Sequence, residues 1–404
     1  VESSIAGQSR TPPQRRNPGD SWRARATFCG RPSSEISPST VRSWGIQPAS
    51  SGSRTVPVSG GSSPARTRAN SRCPFPTTPA PPPAGSPPPL PGGLHPVPAV
   101  GALVAGAFGS PDRFHSLTLV RAVPLTLTGW AVALAFRAGV WNIGAEGQFY
   151  AGAVAATWIG LQPWGLPALP GVLLAMGVAG LAGAAWTLLP ALMRSRLGVG
   201  EVITTILMNF VAINLVGWLV NGPLQETRSV FPQSDPVAAW TRLPALFPGT
   251  RLHWGFALAV GLAVGMALWW RFTPSGFRVL ATGLAPEAAS VSGRISTGKL
   301  QFRVFLVSGA IAGLAGGVEV GGVTFALFDD LSPGYGYTAI AVALLGGLRP
   351  FGVLLAAILI GGLEGGAGAM QRDAGIPSVW VVAIEAIVIL AVLALEGVRR
   401  RTHA

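Results

Sequence analysis

Apolar stretches of bilayer-spanning length recur along the chain from about residue 97 onward, each closed by Pro, Gly or a short polar loop. A helix needs about 20 mostly apolar residues to cross a hydrocarbon core of about 30 Å. The pattern predicts spans at 118–137, 148–163, 167–192, 201–221, 252–271, 303–327, 335–348, 351–369 and 378–396. Composition agrees: 49% of the residues are hydrophobic and only 11% charged, where a soluble domain carries about 25% charged residues. The expected fold class is therefore all-α, a polytopic transmembrane helical bundle of about nine or ten spans. The pair 335–348 and 351–369 is joined by the tight turn "GGLRPFG", and its first member is short enough to be tilted or broken.

Residues 1–95 are different in kind. They hold 18 of the 36 prolines, 11 of the arginines and three acidic residues, with no apolar run able to span a bilayer. Such a segment buries too little apolar surface to offset its ordering entropy, so it reads as a disordered tail. The run "PAPPPAGSPPPLP" is extended or polyproline-like. Cys29 and Cys73 both lie in this tail and define neither a disulfide framework nor a metal site. The formal charge of +13 comes largely from here, and no basic run interleaved with aromatics appears, which argues against nucleic acid as a partner.

Orientation follows from Arg and Lys in short loops. Loop 193–200 carries Arg194 and Arg196; loop 272–302 carries Arg278, Arg294 and Lys299; the terminus 397–404 is basic. These are expected to be cytoplasmic, with 222–251 and "FDDLSPG" outside. Nine spans with an internal C-terminus then start outside, whereas a tail with 11 arginines should stay inside. Either 97–111 makes a further short crossing or an N-terminal helix is missing.

Polar residues inside such spans are costly and mark function. "VWNIGAEGQFYAG" at 140–152 places Asn142, Glu146 and Gln148 among apolar flanks. Asn142 can cap the following helix and Glu146 sits in its first turns, but that account leaves Gln148 unexplained. Glu201, Thr204, Thr205, Met208 and Asn209 form one stripe at helical spacing, with Glu201 at a helix start and Asn209 two turns deeper. Gly309, Gly313, Gly317 and Gly321 recur every four residues, a face on which another backbone can approach closely. Ser308, Ala312, Ala315 and Glu319 lie beside them, framing a carboxylate that serves either a cavity or an interhelical hydrogen bond. Glu364 and Glu385 are weaker candidates of the same kind. "GRISTGKL" at 293–300 approaches a phosphate-loop pattern but has Leu300 where a hydroxyl should ligate magnesium, so ATP binding by this chain is not expected. No hydrolase motif is present.

"TLTGWAVALAFRAGVWNIGAEGQFYAGAVAAT", "GVGEVITTILMNFVAINLVGWLVNGPLQE", "GLAPEAASVSGRIS", "SGAIAGLAGGVEVGG" and "GYGYTAIAVALLGGLRPFG" occur in that order. Together they resemble the permease subunits of ABC importers for nucleosides and simple sugars, a group related to the branched-chain amino acid and ribose permeases. The resemblance covers about 97–396. It implies a permease transmembrane domain that works as a pair, identical or paralogous, with two cytoplasmic ATP-binding subunits and an extracytoplasmic solute-binding lipoprotein, in a bacterial cytoplasmic membrane. ATP would be bound by the partner, and this chain would need no cofactor.

In that light 283–294 reads as a coupling helix. Pro286 suits the first helical position, Glu287 the first turn, Ala288 and Ala289 keep the helix slim, and Gly293 can end it. Asn142, Glu146, Gln148, Glu201, Asn209 and Glu319 are the expected solute-pathway residues. Family members usually carry a membrane helix ahead of the stretch matching "GALVAGAFGSPDRF", where this chain has its Pro-rich tail. A misassigned start or frame error upstream of about residue 95 would also restore the parity of the spans. The competing expectation is an ion-coupled secondary transporter or channel using Glu319, Glu201 or Glu364.

Overall fold

The computed structural model describes residues 96–292 and 295–377 and, with gaps, 379–394. The tail 1–95, Gly293, Glu385 and the basic terminus 397–404 lie outside the described residues. Eleven helices follow in order: α1 Pro96–Phe108, α2 Pro111–Arg137, α3 Ala145–Gly160, α4 Ala168–Leu197, α5 Glu201–Val220, α6 Gly255–Phe272, α7 Pro274–Leu284, α8 Pro286–Ser292, α9 Thr297–Thr324, α10 Tyr335–Leu345 and α11 Pro350–Ala374. Among the described residues the only β-type contacts are two isolated bridges, Gln233 with Phe328 and Ala245 with His253.

Among the described residues six helices, α2, α4, α5, α6, α9 and α11, are long and apolar enough to cross a membrane. The chain is a multi-pass membrane protein. Three expected crossings are short helices: α3 has 16 residues, as many as its expected stretch but starting three earlier, while α10 has 11 and α1 has 13, fewer than theirs. At 1.5 Å per residue these rise only about 24, 16 and 20 Å. The predicted span 378–396 is described only in part.

Burial sorts the long helices. In α2 and α9, 89% and 78% of the apolar window is inside the protein, against 33%, 28% and 22% in α4, α5 and α6. The last three expose Leu169, Leu173, Leu181, Ile203, Leu207, Phe210 and Leu268. A helix apolar on all sides and exposed on one is stable only against lipid. The architecture is thus an α2–α9 centre with α11 beside it and a lipid-facing coat.

Helix ends follow local chemistry. Thr273 Oγ1 accepts from Gly276 N at 3.1 Å and Pro274 opens α7, a Ser/Thr cap with Pro at the first turn. Gly198, at φ +66°, closes α4 in the left-handed region. At one end of the bundle Arg194 donates to Gln301 Oε1 at 3.2 Å, Gln301 donates to Ala138 O at 3.0 Å, and Trp141 N donates to Glu201 Oε1 at 3.2 Å. Loops 138–142, 193–200 and 295–301 therefore share this Arg-bearing end. At the other, Ser234 N donates to Leu327 O, Val237 N to Phe325 O and Leu243 N to Gly321 O, so segment 222–251 roofs the end of α9. In that roof Glu226 accepts from the Gln233 amide and from Phe231 and Val230 N, which holds its carboxyl below the usual range.

Close packing inside lipid relies on small residues, because lipid tails are as apolar as leucine. The α9 row Gly309, Gly313, Gly317 and Gly321 faces α4 and the roof: a Cβ on Gly309 would strike Thr187 Oγ1, one on Gly317 would lie 2.7 Å from Ala179 Cβ, and one on Gly321 3.1 Å from Thr241 O. Gly183 of α4 would strike the Gly309 carbonyl in return. Gly313→Leu is expected to force α4 and α9 apart, at about 1–3 kcal/mol as for other overpacked sites. A lowered melting temperature of the purified protein, with Leu181→Ala on the lipid-facing side close to wild type, checks this.

Candidate functional site

The chain leaves α2 at Arg137 and does not resume helix until Ala145, yet Ala138, Val140, Asn142 and Gly144 are buried. Irregular backbone survives at membrane depth only if protein groups satisfy it. Here side chains do so. Asn142 Oδ1 accepts from Gly144 N at 3.0 Å, and Asn209 Oδ1 accepts from Gly147 N at 2.8 Å while its Nδ2 donates to Ile143 O at 2.9 Å. Asn142 Nδ2 donates to Gln148 Oε1 at 2.9 Å and to Ser308 Oγ at 2.8 Å, and Ser308 Oγ donates to Ala131 O at 2.6 Å. The network ties α2, α3, α5 and α9 together. Asn142 was expected to cap α3; it serves Gly144 instead, and Gly144 is the cap residue. Gln148 is explained as the side chain that completes Asn142.

Glu146 makes the second junction. Its Oε2 accepts from Gly336 N, in the first turn of α10. α3 starts one residue before Glu146 and α10 one residue before Gly336, so two helix N-termini meet with one carboxylate between them. Each N-terminus presents unpaired N–H groups and a partial positive charge, and the carboxylate offsets both. Gly336 is required: a Cβ there would occupy the position of Glu146 N. Ser332 Oγ accepts from Gly334 N at 3.1 Å and Tyr335 N at 2.9 Å, and Ser332 N donates to Tyr150 Oη at 3.2 Å. α3 and α10 are thus short helices buttressed head to head at their N-termini.

Beside this junction, toward the roofed end, lies a cavity of about 700 Å³ lined by Ser116, Arg121, Arg251, Glu319, Asp330 and Tyr335, with smaller apolar neighbours. Both π-helical stretches among the described residues, Phe114–Leu119 in α2 and Val320–Thr324 in α9, border it. Such turns are frequent at functional sites because they displace the helix ladder locally. Glu319 is 4% exposed, and its Oε2 has no hydrogen-bond partner among the described residues. Arg121 Nη1 lies 3.4 Å from Glu364 Oε2. The lining mixes both charge signs, an arrangement suited to a neutral polar molecule with several donors and acceptors. Among the described residues no group of three or more His, Cys, Asp or Glu could hold a metal ion.

The expected pathway residues therefore separate. Glu319 lines the cavity; Asn142, Gln148 and Asn209 are engaged in the joint; Glu146 sits between the two short helices; Glu201 lies at the Arg-bearing end, 3.5 Å from Arg194 Nε. In α8, Pro286 and Glu287 occupy the first turn as the spacing predicts, Ala288 is exposed and Ala289 is turned into the fold. Arg121, Arg251, Asp330, Ser332, Tyr335 and Gly336 were not singled out from sequence. Only the Ser332-x-x-Tyr335 spacing, a hydroxyl ahead of a helix start, was visible as a cap signal.

The family model for the permease component of the branched-chain amino acid transport system matches residues 115–393. The chain belongs to that family. It is 38% identical over 292 residues to the glucose ABC transporter permease protein of Haloferax volcanii, covering 70% of this chain and 76% of the relative. It is 37% identical over 302 residues to the guanosine ABC transporter permease protein of Bacillus subtilis (74% and 86%). It is 32% identical over 308 residues to the nucleoside ABC transporter permease protein of Lactococcus lactis (74% and 83%). No solved structure matches. As an ABC importer permease the chain is a transport component.

Gly336→Ala is expected to push α10 off Glu146 and destabilise the permease by about 1–3 kcal/mol. Glu146→Leu leaves Gly336 N and two helix ends without an acceptor, at a similar cost, while Glu146→Gln, which keeps an acceptor, is milder. Thermal unfolding of the purified variants, ranked Gln above Leu, is the check.

Proposed function

We propose that this chain is the permease subunit through which a nucleoside or a simple sugar enters the cell, driven by ATP hydrolysis in a separate subunit pair. The observation that carries the reading is Glu319: a carboxylate oxygen almost wholly buried, unpartnered among the described residues, and on the wall of a cavity with mixed charges. A buried unpaired acceptor is costly unless a donor arrives, and the hydroxyls of a sugar ring are such donors. The printed activities of the relatives, glucose, guanosine and nucleoside transport, share that ring. The Arg-bearing loops support reading that end as cytoplasmic and the roofed end as outside, in a bacterial cytoplasmic membrane, with the basic C-terminus expected on the cytoplasmic side. An extracytoplasmic solute-binding lipoprotein would deliver the solute there, and a second permease subunit, identical or paralogous, would complete the pore.

α8 is read as the coupling element. It is short, begins with Pro286 and Glu287, and lies at the Arg-bearing end beside α7. Two ATP-binding subunits would grip it from the cytoplasm and pass their closure to the bundle. Ala288→Trp adds bulk on the exposed side and is expected to abolish ATP-coupled uptake while membrane insertion and yield stay at wild-type level. Ala289→Trp is a less clean test, because Ala289 is buried against this chain itself.

In vesicles carrying the complete importer, uptake of the solute accepted by the binding protein is expected to require ATP and to persist when ion gradients are collapsed. Uptake that survives on a proton or sodium gradient alone would favour an ion-coupled transporter working through Glu319, Glu201 or Glu364. Glu319→Leu, which removes the acceptor, is expected to lower uptake efficiency about 10-fold, the value of about one hydrogen bond, with assembly unchanged.

A further inference from the structure

A second cavity, of about 790 Å³, opens at the Arg-bearing end between α4 and α9. Arg194, Arg196, Lys299 and Arg303 line it, and no carboxylate does. Arg194 is engaged by Glu201 and Gln301. The side chains of Arg196, Lys299 and Arg303 have no ion pair or hydrogen bond among the described residues. Retaining positive charge at the cytoplasmic end requires only that the charges be present in the loops. All three are exposed, so water screens their mutual repulsion, but an anion seated between them would be attracted by all three at once. α9 begins here at Thr297, so its positive end adds to the field.

The walls decide what kind of anion. Below the cations the lining turns apolar at Leu192 and Phe302. On α4 a ridge runs from exposed Leu181 and Leu188 to half-buried Leu192 and reaches Arg196, steps of seven, four and four residues along one helix face. A ridge that is apolar at membrane depth and cationic at its end matches an amphiphile. We propose that this cavity binds the phosphate headgroup of an acidic membrane lipid, with an acyl chain lying along the Leu181–Leu192 ridge. The near phosphate-loop sequence "STGKL" at 296–300 then has a role: Ser296 and Lys299 face an anion, with no nucleotide involved.

The test uses the purified full chain in vesicles with photoactivatable phosphatidylglycerol or phosphatidylcholine of the same acyl composition. Phosphatidylglycerol is expected to label peptides within 188–196 or 296–305 at least tenfold more than phosphatidylcholine, a selectivity in line with about three surface cations, and the excess should fall as salt rises. Native mass spectrometry of R196Q/K299Q/R303Q is expected to show roughly tenfold less retained phosphatidylglycerol, while R196K/K299R/R303K retains it. Equal labelling by the two lipids overturns the proposal, and so does retention in the Gln variant equal to wild type. If inorganic phosphate at millimolar concentration removes the labelling as effectively as unlabelled lipid does, the ligand is a soluble phosphate and the lipid assignment fails. If the Gln variant keeps its lipid but loses its co-purifying ATPase, the surface belongs to that partner and the proposal is wrong.

Discussion

The fold depends on one problem and its solution: two short helices start inside the protein at membrane depth, and their N-termini face each other. Without a counter-charge the opposed dipoles and the unpaired N–H groups would make that layout untenable in a low-dielectric interior. Glu146 resolves it by sitting in the first turn of α3 and accepting from the first turn of α10. The contact demands glycine at 336, and Ser332 caps the same helix from the loop side while its own N–H is tied to Tyr150. Around this pin the seven residues between α2 and α3 need partners as well. Asn142 and Asn209 supply them because an amide carries a donor and an acceptor on separate atoms, whereas a carboxylate only accepts.

The long helices obey a different rule. Their association gains nothing from hiding apolar surface, since the lipid is equally apolar, so contact quality decides. Glycine rows let α9 lie directly on α4, and α3 meets α9 in the same way, with Gly152 and Gly313 in backbone contact. Rigid glycine-faced contacts on these sides and a polar, hydrogen-bonded joint at 138–148 are two mechanically different seams in one bundle. The Glu146–Gly336 junction beside that joint is what borders the cavity, through Ser332 and Tyr335.

Much of this was legible in the sequence. The repeated apolar stretches, the shortness of 335–348 and the four-residue glycine spacing are local patterns, and local patterns survive without knowledge of the fold. "VWNIGAEGQ" stood out as anomalous for a membrane stretch, yet its roles were hidden, because each partner is far away in the chain: Ser308, Asn209 and Gly336 are contacts set by tertiary packing. The break itself was legible, since the expected spans stop at 137 and resume at 148; the first of these helices ends at Arg137 and the next begins three residues earlier than expected, at Ala145. The cavity was least visible. Arg121 and Arg251 belong to different segments, and nothing in either neighbourhood indicates that both face Glu319.

The two ends of the bundle also differ in electrostatic character, and the difference follows from what each end must hold. At the roofed end the cavity carries Arg121, Arg251, Glu319 and Asp330, and Glu364 lies against Arg121, so no single sign dominates. A neutral solute is neither drawn in by a net field nor trapped by one, and hydrogen bonding can select it while still letting it leave. At the Arg-bearing end the cavity carries cations alone. A field of one sign there would hold an anion strongly, which suits a resident group and would hinder release of a charged passenger. On the proposed readings, the same covalent chain would separate two tasks by depth: exchangeable recognition where the charges balance, and anchoring where they do not.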